Sequence, residues 1–216
     1  MDALLFAMHS EAGAFTRAGR VYGELTVQGT ELFGLEFEGR HFAVCVCGIG
    51  KVNAAAAAAL LIARGARSIL NAGLCGALDQ KLSIGQTVSM GSCIQYDFDL
   101  TALGDARGHV PGQKGAYFEL NEPAFGLKLQ SCVCATADMF SDREEDARLA
   151  VMLGAAVRDM ELAACAQVCE KAGVPLSAVK TVSNVAGVQA SDSYEKNKFA
   201  ALESLAQIAP HILRAL

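Results

Sequence analysis

Residues 42–63 read FAVCVCGIGKVNAAAAAALLIA, and this order constrains the fold more than any other stretch. An apolar run that ends in glycines, with no polar alternation, predicts a strand buried on both faces, because a half-exposed strand alternates apolar and polar positions. The segment KVNAAAAAALLIA at 51–63 predicts a helix, with Gly65 as its stop. Its small side chains permit close packing on a sheet. A doubly buried strand feeding such a helix points to an α/β protein with a parallel or mixed sheet covered on both faces.

The rest of the chain repeats the pattern. Residues 3–7 predict a first strand, and residues 21–47 alternate around Gly23, Gly29 and Gly39 as successive strands with tight turns would. SILNAG from Ser68 is a buried strand, with further strands near 86–95 and 129–135. Helical patterns at 143–153 and 160–172 flank another strand, PLSAVKTVSNVA from Pro175 is a last buried strand, and residues 192–215 predict an amphipathic terminal helix. With 216 residues and no linker or repeat, one domain over 1–216 is expected.

Composition excludes several classes of function. The chain is 52% apolar, yet no uninterrupted run reaches the length that spans a bilayer, so no membrane association is expected. The start, MDALLFAM, carries an acid at position 2 and neither a basic leader nor a small-residue cleavage site, which predicts a cytoplasmic protein. A net charge of −5 without a basic cluster argues against a nucleic-acid partner. The 8 cysteines read as reduced core residues. Cys45 and Cys47, like Cys132 and Cys134, share a face of a strand, and Cys165 and Cys169 lie one helical turn apart without a partner set, so no metal site is expected.

In such sheets ligands bind where loops leave the carboxyl ends of strands. Five segments of unusual chemistry fall there: AMHSEAG at 7–13, CGIGKVNA at 47–54, NAGLCGAL at 71–78, RDMELAA at 158–164 and TVSNVAG at 181–187. On position alone, Glu11 and Glu161 read equally as site residues or as acids at helix N-termini, where the dipole favours them.

Together with YDFDLTALG and GHVPG at 96–112 and TADMF at 136–140, these segments stand in the order and spacing of the nucleoside phosphorylase and nucleosidase superfamily. The chain resembles in particular its 5′-methylthioadenosine/S-adenosylhomocysteine nucleosidases, of which futalosine hydrolases are near relatives. The resemblance implies a three-layer nucleoside phosphorylase-like fold, a central mixed twisted sheet flanked by helices. It also implies cofactor-free hydrolysis of the N-glycosidic bond of a 5′-modified purine nucleoside. Glu11 matches the carboxylate that receives a proton from the attacking water. Glu161 matches the acid that accepts both ribose hydroxyls, with Met160 on the sugar and Asp159 beside them. Phe140 matches the aromatic that stacks on the purine, and Ser141 would offer backbone groups to its edge. Met8, Ile49, Cys75, Gly76 and Ser183 are expected to line the pocket.

Three departures bear on substrate. Phosphorylases of this superfamily surround their anion with arginine and serine, whereas here the strand end carries Asn71 and Leu74, and Glu11 would repel a phosphate, so water is the expected nucleophile. Asn184 replaces the aspartate that protonates N7 of adenine; an amide suits a 6-oxopurine, which makes a futalosine hydrolase-like enzyme releasing hypoxanthine the second reading, and a binding-only relative the third. The loop LGDARGHVPG at 103–112 matches the one a neighbouring subunit lays over the 5′ group. It keeps Pro111 but has Asp105 at the aromatic position, with Tyr194 supplying another aromatic, and it implies a homodimer.

Overall fold

The computed structural model describes residues 1–122, 126–185 and 189–216; Ala186 and Gly187, which close the TVSNVAG segment, fall outside them. In chain order the elements are β1 (Asp2–Phe6), α1 (His9–Thr16), β2 (Arg20–Val27), β3 (Thr30–Phe37), β4 (Arg40–Val46), α2 (Lys51–Ala63) and β5 (Ser68–Ala77). There follow β6 (Thr87–Gln95), β7 (Tyr117–Glu119), β8 (Gln130–Thr136), α3 (Glu144–Met152), β9 (Val157–Asp159), α4 (Leu162–Ala172), β10 (Leu176–Val185) and α5 (Ala190–Ala215).

The strands form one mixed sheet in the order β10-β6-β8-β9-β5-β1-β4-β3-β2, with β7 on β6. β10 also pairs with β5, so five strands close on themselves while β1 to β4 extend as an open wing. β1 is parallel to β4 and β5, and β10 is parallel to β5. The carboxyl ends of these strands therefore meet on one rim.

The expectation of a sheet covered on both faces holds, and β1 shows how. Ala3 and Leu5 point into a core with Ala54, Ala57, Ala58 and Leu61 of α2 and with Leu162 and Cys165 of α4. Leu4 and Phe6 point the other way, into a core with Ala12 and Phe15 of α1 and with Leu205, Ala209 and Ile212 of α5. Strand alternation thus divides one apolar run between two cores. The α2 residues recur at the helical spacing that makes a single stripe, and alanines there let α2 lie close to α4.

Two elements differ from expectation. α1 has only eight residues and no aliphatic stripe, so period alone does not reveal it. β7 is three residues long with Phe118 alone buried. In addition, α4 starts at Leu162 because the Asp159 carboxylate accepts from the Leu162 N–H at 3.0 Å, capping the helix from the end of β9.

Candidate active site

A cavity of about 460 Å³ opens on the rim where β1, β5, β9 and β10 end. Its floor holds two glutamates, Glu11 and Glu161, with 3% and 6% of their surface exposed.

Glu11 is placed by the turn that starts α1. Its Oε2 accepts from the Met8 N–H at 2.9 Å, and its Oε1 reaches across the sheet to accept from the Leu74 N–H at 2.7 Å. The approach requires glycine at 73, where a Cβ would stand 2.3 Å from Oε1. Burial raises the carboxyl above its ordinary value, against the Lys180 charge and the Leu74 and Met8 N–H groups that favour the anion. Each oxygen has one backbone donor and so keeps acceptor capacity, which suits a group that takes up a proton.

Glu161 follows β9. Its Oε1 accepts from the Gly50 N–H at 2.9 Å. Gly50 sits at φ 103°, a left-handed conformation open to glycine, and so turns its N–H toward the cavity at the head of α2. Burial, then the nearby Asp159 charge, push Glu161 up to about 7.

Beneath both acids runs a buried ion pair. Lys180 of β10 places Nζ 2.9 Å from Asp159 Oδ2, each side chain almost wholly enclosed. Burial alone would lower the ammonium, but Asp159, Glu161 and Glu11 outweigh it and raise it, so Lys180 is a fixed positive charge under the site. Asp159 Oδ1 accepts from Thr136 Oγ1 at 2.6 Å. With that bond, the Leu162 cap and Lys180, the Asp159 carboxylate is engaged within the protein.

At the other end of the cavity β10 carries a bulge at Ser183, which breaks the two-residue alternation just before Asn184. Asn184 then pairs in register with Gly76 of β5, and Gly76 pairs with Arg158 of β9. Ser183 Oγ has one proton and two acceptors in reach, Asn184 Oδ1 at 2.9 Å and the Cys75 carbonyl at 3.2 Å. The shorter contact orients the amide with its NH₂ free of strong bonds, its own contact to the Val185 carbonyl being 3.5 Å. Burial pushes the Cys75 thiol far up, which leaves it neutral and unreactive. Phe140, half exposed, stands edge-on to Tyr194 with ring centroids 5.7 Å apart. The Tyr194 hydroxyl contacts Met8 Sδ at 3.8 Å, and Ile49 and Met160 complete the apolar wall.

The family model described as "Phosphorylase superfamily" matches residues 3–215. The chain belongs to this superfamily. Among curated relatives, the 5′-methylthioadenosine/S-adenosylhomocysteine nucleosidase of Marinomonas sp. is 30% identical over 225 residues, covering 98% of this chain and 97% of that one. The aminodeoxyfutalosine nucleosidase of Campylobacter jejuni is 28% identical, with 90% of each chain covered. Among solved structures, the Colwellia psychrerythraea 5′-methylthioadenosine/S-adenosylhomocysteine nucleosidase in complex with adenine superposes with a TM-score of 0.91 at 26% identity, covering 100% of this chain and 95% of that one.

In this phosphorylase-superfamily chain the expected residues do not all gather. Met8, Glu11, Ile49, Cys75, Gly76, Phe140, Asp159, Met160, Glu161, Ser183, Asn184 and Tyr194 line the cavity. Ser141 does not: it is buried behind Phe140, its hydroxyl on Asp146 and its carbonyl taken by Arg158. Asp105 and Pro111, expected to act on a neighbouring subunit's pocket, lie away from this chain's own cavity; Asp105 pairs with His109 at 3.2 Å, and Pro111 is exposed on the same loop. Asn71 turns its amide to the Leu5 carbonyl at 3.1 Å, between β5 and β1. Two residues of the site went unread in the sequence, Lys180 and Arg158. The signal was present, since each is a cation in a strand the sequence reads as buried, where only a paired or functional charge survives. Among the described residues no three His, Cys, Asp or Glu side chains group as metal ligands, and no helix is long and apolar enough to cross a membrane.

Proposed function

We propose that this superfamily member hydrolyses the N-glycosidic bond of a 5′-modified purine nucleoside. The observation that carries the reading is the pair of buried glutamates, Glu11 and Glu161, facing one cavity above the Lys180 charge. A ribosyl group that becomes cationic as its bond to the base breaks is stabilised by such acids, which bind it more strongly in the transition state than in the ground state. Water attacks C1′ and gives a proton to Glu11, the C1′–N9 electron pair leaves with the base, Glu11 then releases its proton to solvent while the base takes one up, and the sugar departs as the 5-substituted ribose. Glu161 accepts the two ribose hydroxyls on its free lone pairs, Met160 packs on the sugar, Phe140 stacks on the purine, and Tyr194 borders the 5′ group.

Asn184 favours a second reading of the base. Its NH₂ donates without being an acid, so it binds O6 or N7 of hypoxanthine but cannot protonate adenine, as a futalosine hydrolase-like enzyme would require. The 5′ group is covered by Asp105 and Pro111 of a second copy of the chain in a homodimer. The free cysteines, mostly buried, fit a reducing cytoplasm.

Glu11→Gln tests the mechanism. Loss of the proton acceptor at constant volume lowers kcat by about 10²- to 10⁴-fold while nucleoside binding persists. Turnover at the wild-type rate would remove Glu11 from the chemistry.

A further inference from the structure

Glu161 is held on the cavity floor chiefly through Gly50, whose N–H donates to Oε1 at 2.9 Å; Oε2 has only the longer Met160 N–H contact, 3.3 Å. That donor is aimed no better than the loop that carries it. Gly50 stands at the N-cap of α2 with φ 103°, and Ile49 of the cavity wall precedes it. Asn53 Nδ2 donates to the Ile49 carbonyl at 2.8 Å, which ties the loop to α2 itself. Lys51 ties it to the sheet.

Lys51 enters a closed circuit of hydrogen bonds. Its N–H donates to Asp138 Oδ1 at 2.7 Å, so Asp138, two residues past β8, caps α2 from another part of the chain, where the helix dipole favours an acid. The Asp138 N–H donates in turn to Asp97 Oδ2 at 3.0 Å, and Asp97 stands two residues past β6. Lys51 Nζ then reaches both Asp97 oxygens at 2.8 Å and closes the ring. The Lys51 and Asp97 side chains are each at most a quarter exposed, so water competes less for this pair than for an open surface pair. Two of the three segments in the ring run straight into the cavity wall: Ile49 lies two residues before Lys51, and Met139 and Phe140 follow Asp138.

We propose that Lys51 is a positioning residue for ribose binding: by tying the head of α2 to the ends of β6 and β8, it holds the Gly50 N–H on Glu161 and fixes Ile49 and Phe140 in the cavity wall. The proposal rests on the purine nucleosidase reading and deepens it. The groups that face Glu161 give the sign of the effect. Burial, then Asp159, and last Glu11 disfavour the Glu161 anion, while Lys180 and the Gly50 N–H favour it; the Cys47 thiol, pushed up to about 12 by burial, is neutral. Loosening the Gly50 loop removes a donor from the anion and leaves the other groups in place.

The test uses Lys51→Met, which keeps the stem and loses the ammonium, and Lys51→Arg, which restores a two-pronged partner for Asp97. Ligand-free enzyme with ¹³C-labelled glutamate is titrated by NMR, the Glu161 carboxyl being assigned by its absence in Glu161→Gln. Over the same pH range kcat/KM is followed for 5′-modified purine nucleosides. In Lys51→Met the Glu161 titration and the rising limb of kcat/KM both move up by about one pH unit, the worth of one hydrogen bond to a charged group. KM at neutral pH rises more than kcat falls, and Lys51→Arg returns all three towards the wild type. A folded Lys51→Met whose activity falls while Glu161 titrates at the wild-type pH would overturn the proposal and leave Lys51 a structural tie. Kinetics and titration both unchanged would overturn it as well. If Lys51→Met does not fold, Asp97→Asn, which weakens the same pair and leaves Lys51 Nζ within reach of water, is judged by the same two readouts. If the wild type cleaves no nucleoside, the hydrolase reading fails, and the NMR titration alone decides whether Lys51 holds the Gly50 N–H on Glu161.

Discussion

Glu161 is held near neutrality by burial and by Asp159, yet only its anion can accept both hydroxyls of a ribose. Protonation turns one acceptor into a donor, so kcat/KM of the free enzyme rises with pH through about 7, the value to which Glu161 is pushed. A profile flat from acid to neutral pH would exclude it from ribose binding. The same shift has a stability counterpart of fixed sign. The folded protein binds this proton more tightly than the unfolded chain, so the stabilisation is complete below the ordinary glutamate value of 4.5 and is lost as pH rises through about 7. Urea midpoints across that window detect it. At Asn184 the expected change is one of preference. Asn184→Asp keeps the volume but supplies a carboxyl that burial can hold protonated, able to donate to N7 of adenine and, once ionised, repelling O6. The ratio of kcat/KM for adenine over hypoxanthine nucleosides rises by about ten- to hundred-fold, the worth of one or two buried groups paired or unpaired. An unchanged ratio would place Asn184 away from the base.

Among the elements, β10 carries the largest electrostatic commitment. Lys180→Met leaves Asp159 charged and enclosed without its partner, which costs about 3–5 kcal/mol in a denaturant titration. Asp159→Asn in the same chain restores much of it, because the remaining amide can still bond Thr136 or the Leu162 N–H. Additive losses would mean the two charges do not interact. β10 also marks how far the sequence could be read. Its span, and those of β1, β5 and α2, follow from apolar runs and glycine stops, since burial on both faces leaves no other pattern. Glu11, Glu161 and Asn184 stood at strand ends, but position alone left the two glutamates equally readable as acids at helix N-termini, and it was the resemblance to the nucleosidase family that gave the three their roles. Lys180 and Arg158 were passed over because their meaning lies in partners far away in the chain: Asp159 for one, the Ser141 carbonyl for the other. The bulge at Ser183 and the pairing of Asn184 with Gly76 arise from strand register, which no local motif encodes. α1 escaped because a single capping turn around Glu11, not a hydrophobic stripe, defines it.

At the scale of the whole molecule the cavity is open to solvent where half-exposed Phe140 and Ile49 border it. Val52, Leu103 and Phe199 are exposed further still. Sedimentation at micromolar concentration is expected to give a dimer, and dilution to monomers is expected to raise KM for 5′-modified nucleosides; a fully active monomer would contradict this. The central claim, that water cleaves a purine nucleoside at Glu11 without phosphate, is tested most directly by turnover in phosphate-free buffer made with ¹⁸O-labelled water. A panel of 5′-modified adenine and hypoxanthine nucleosides is added, and the sugar product is weighed by mass spectrometry. The account predicts free purine and a ribose carrying one ¹⁸O from the attacking water. No base release until phosphate is added, with ribose 1-phosphate as product, would contradict it.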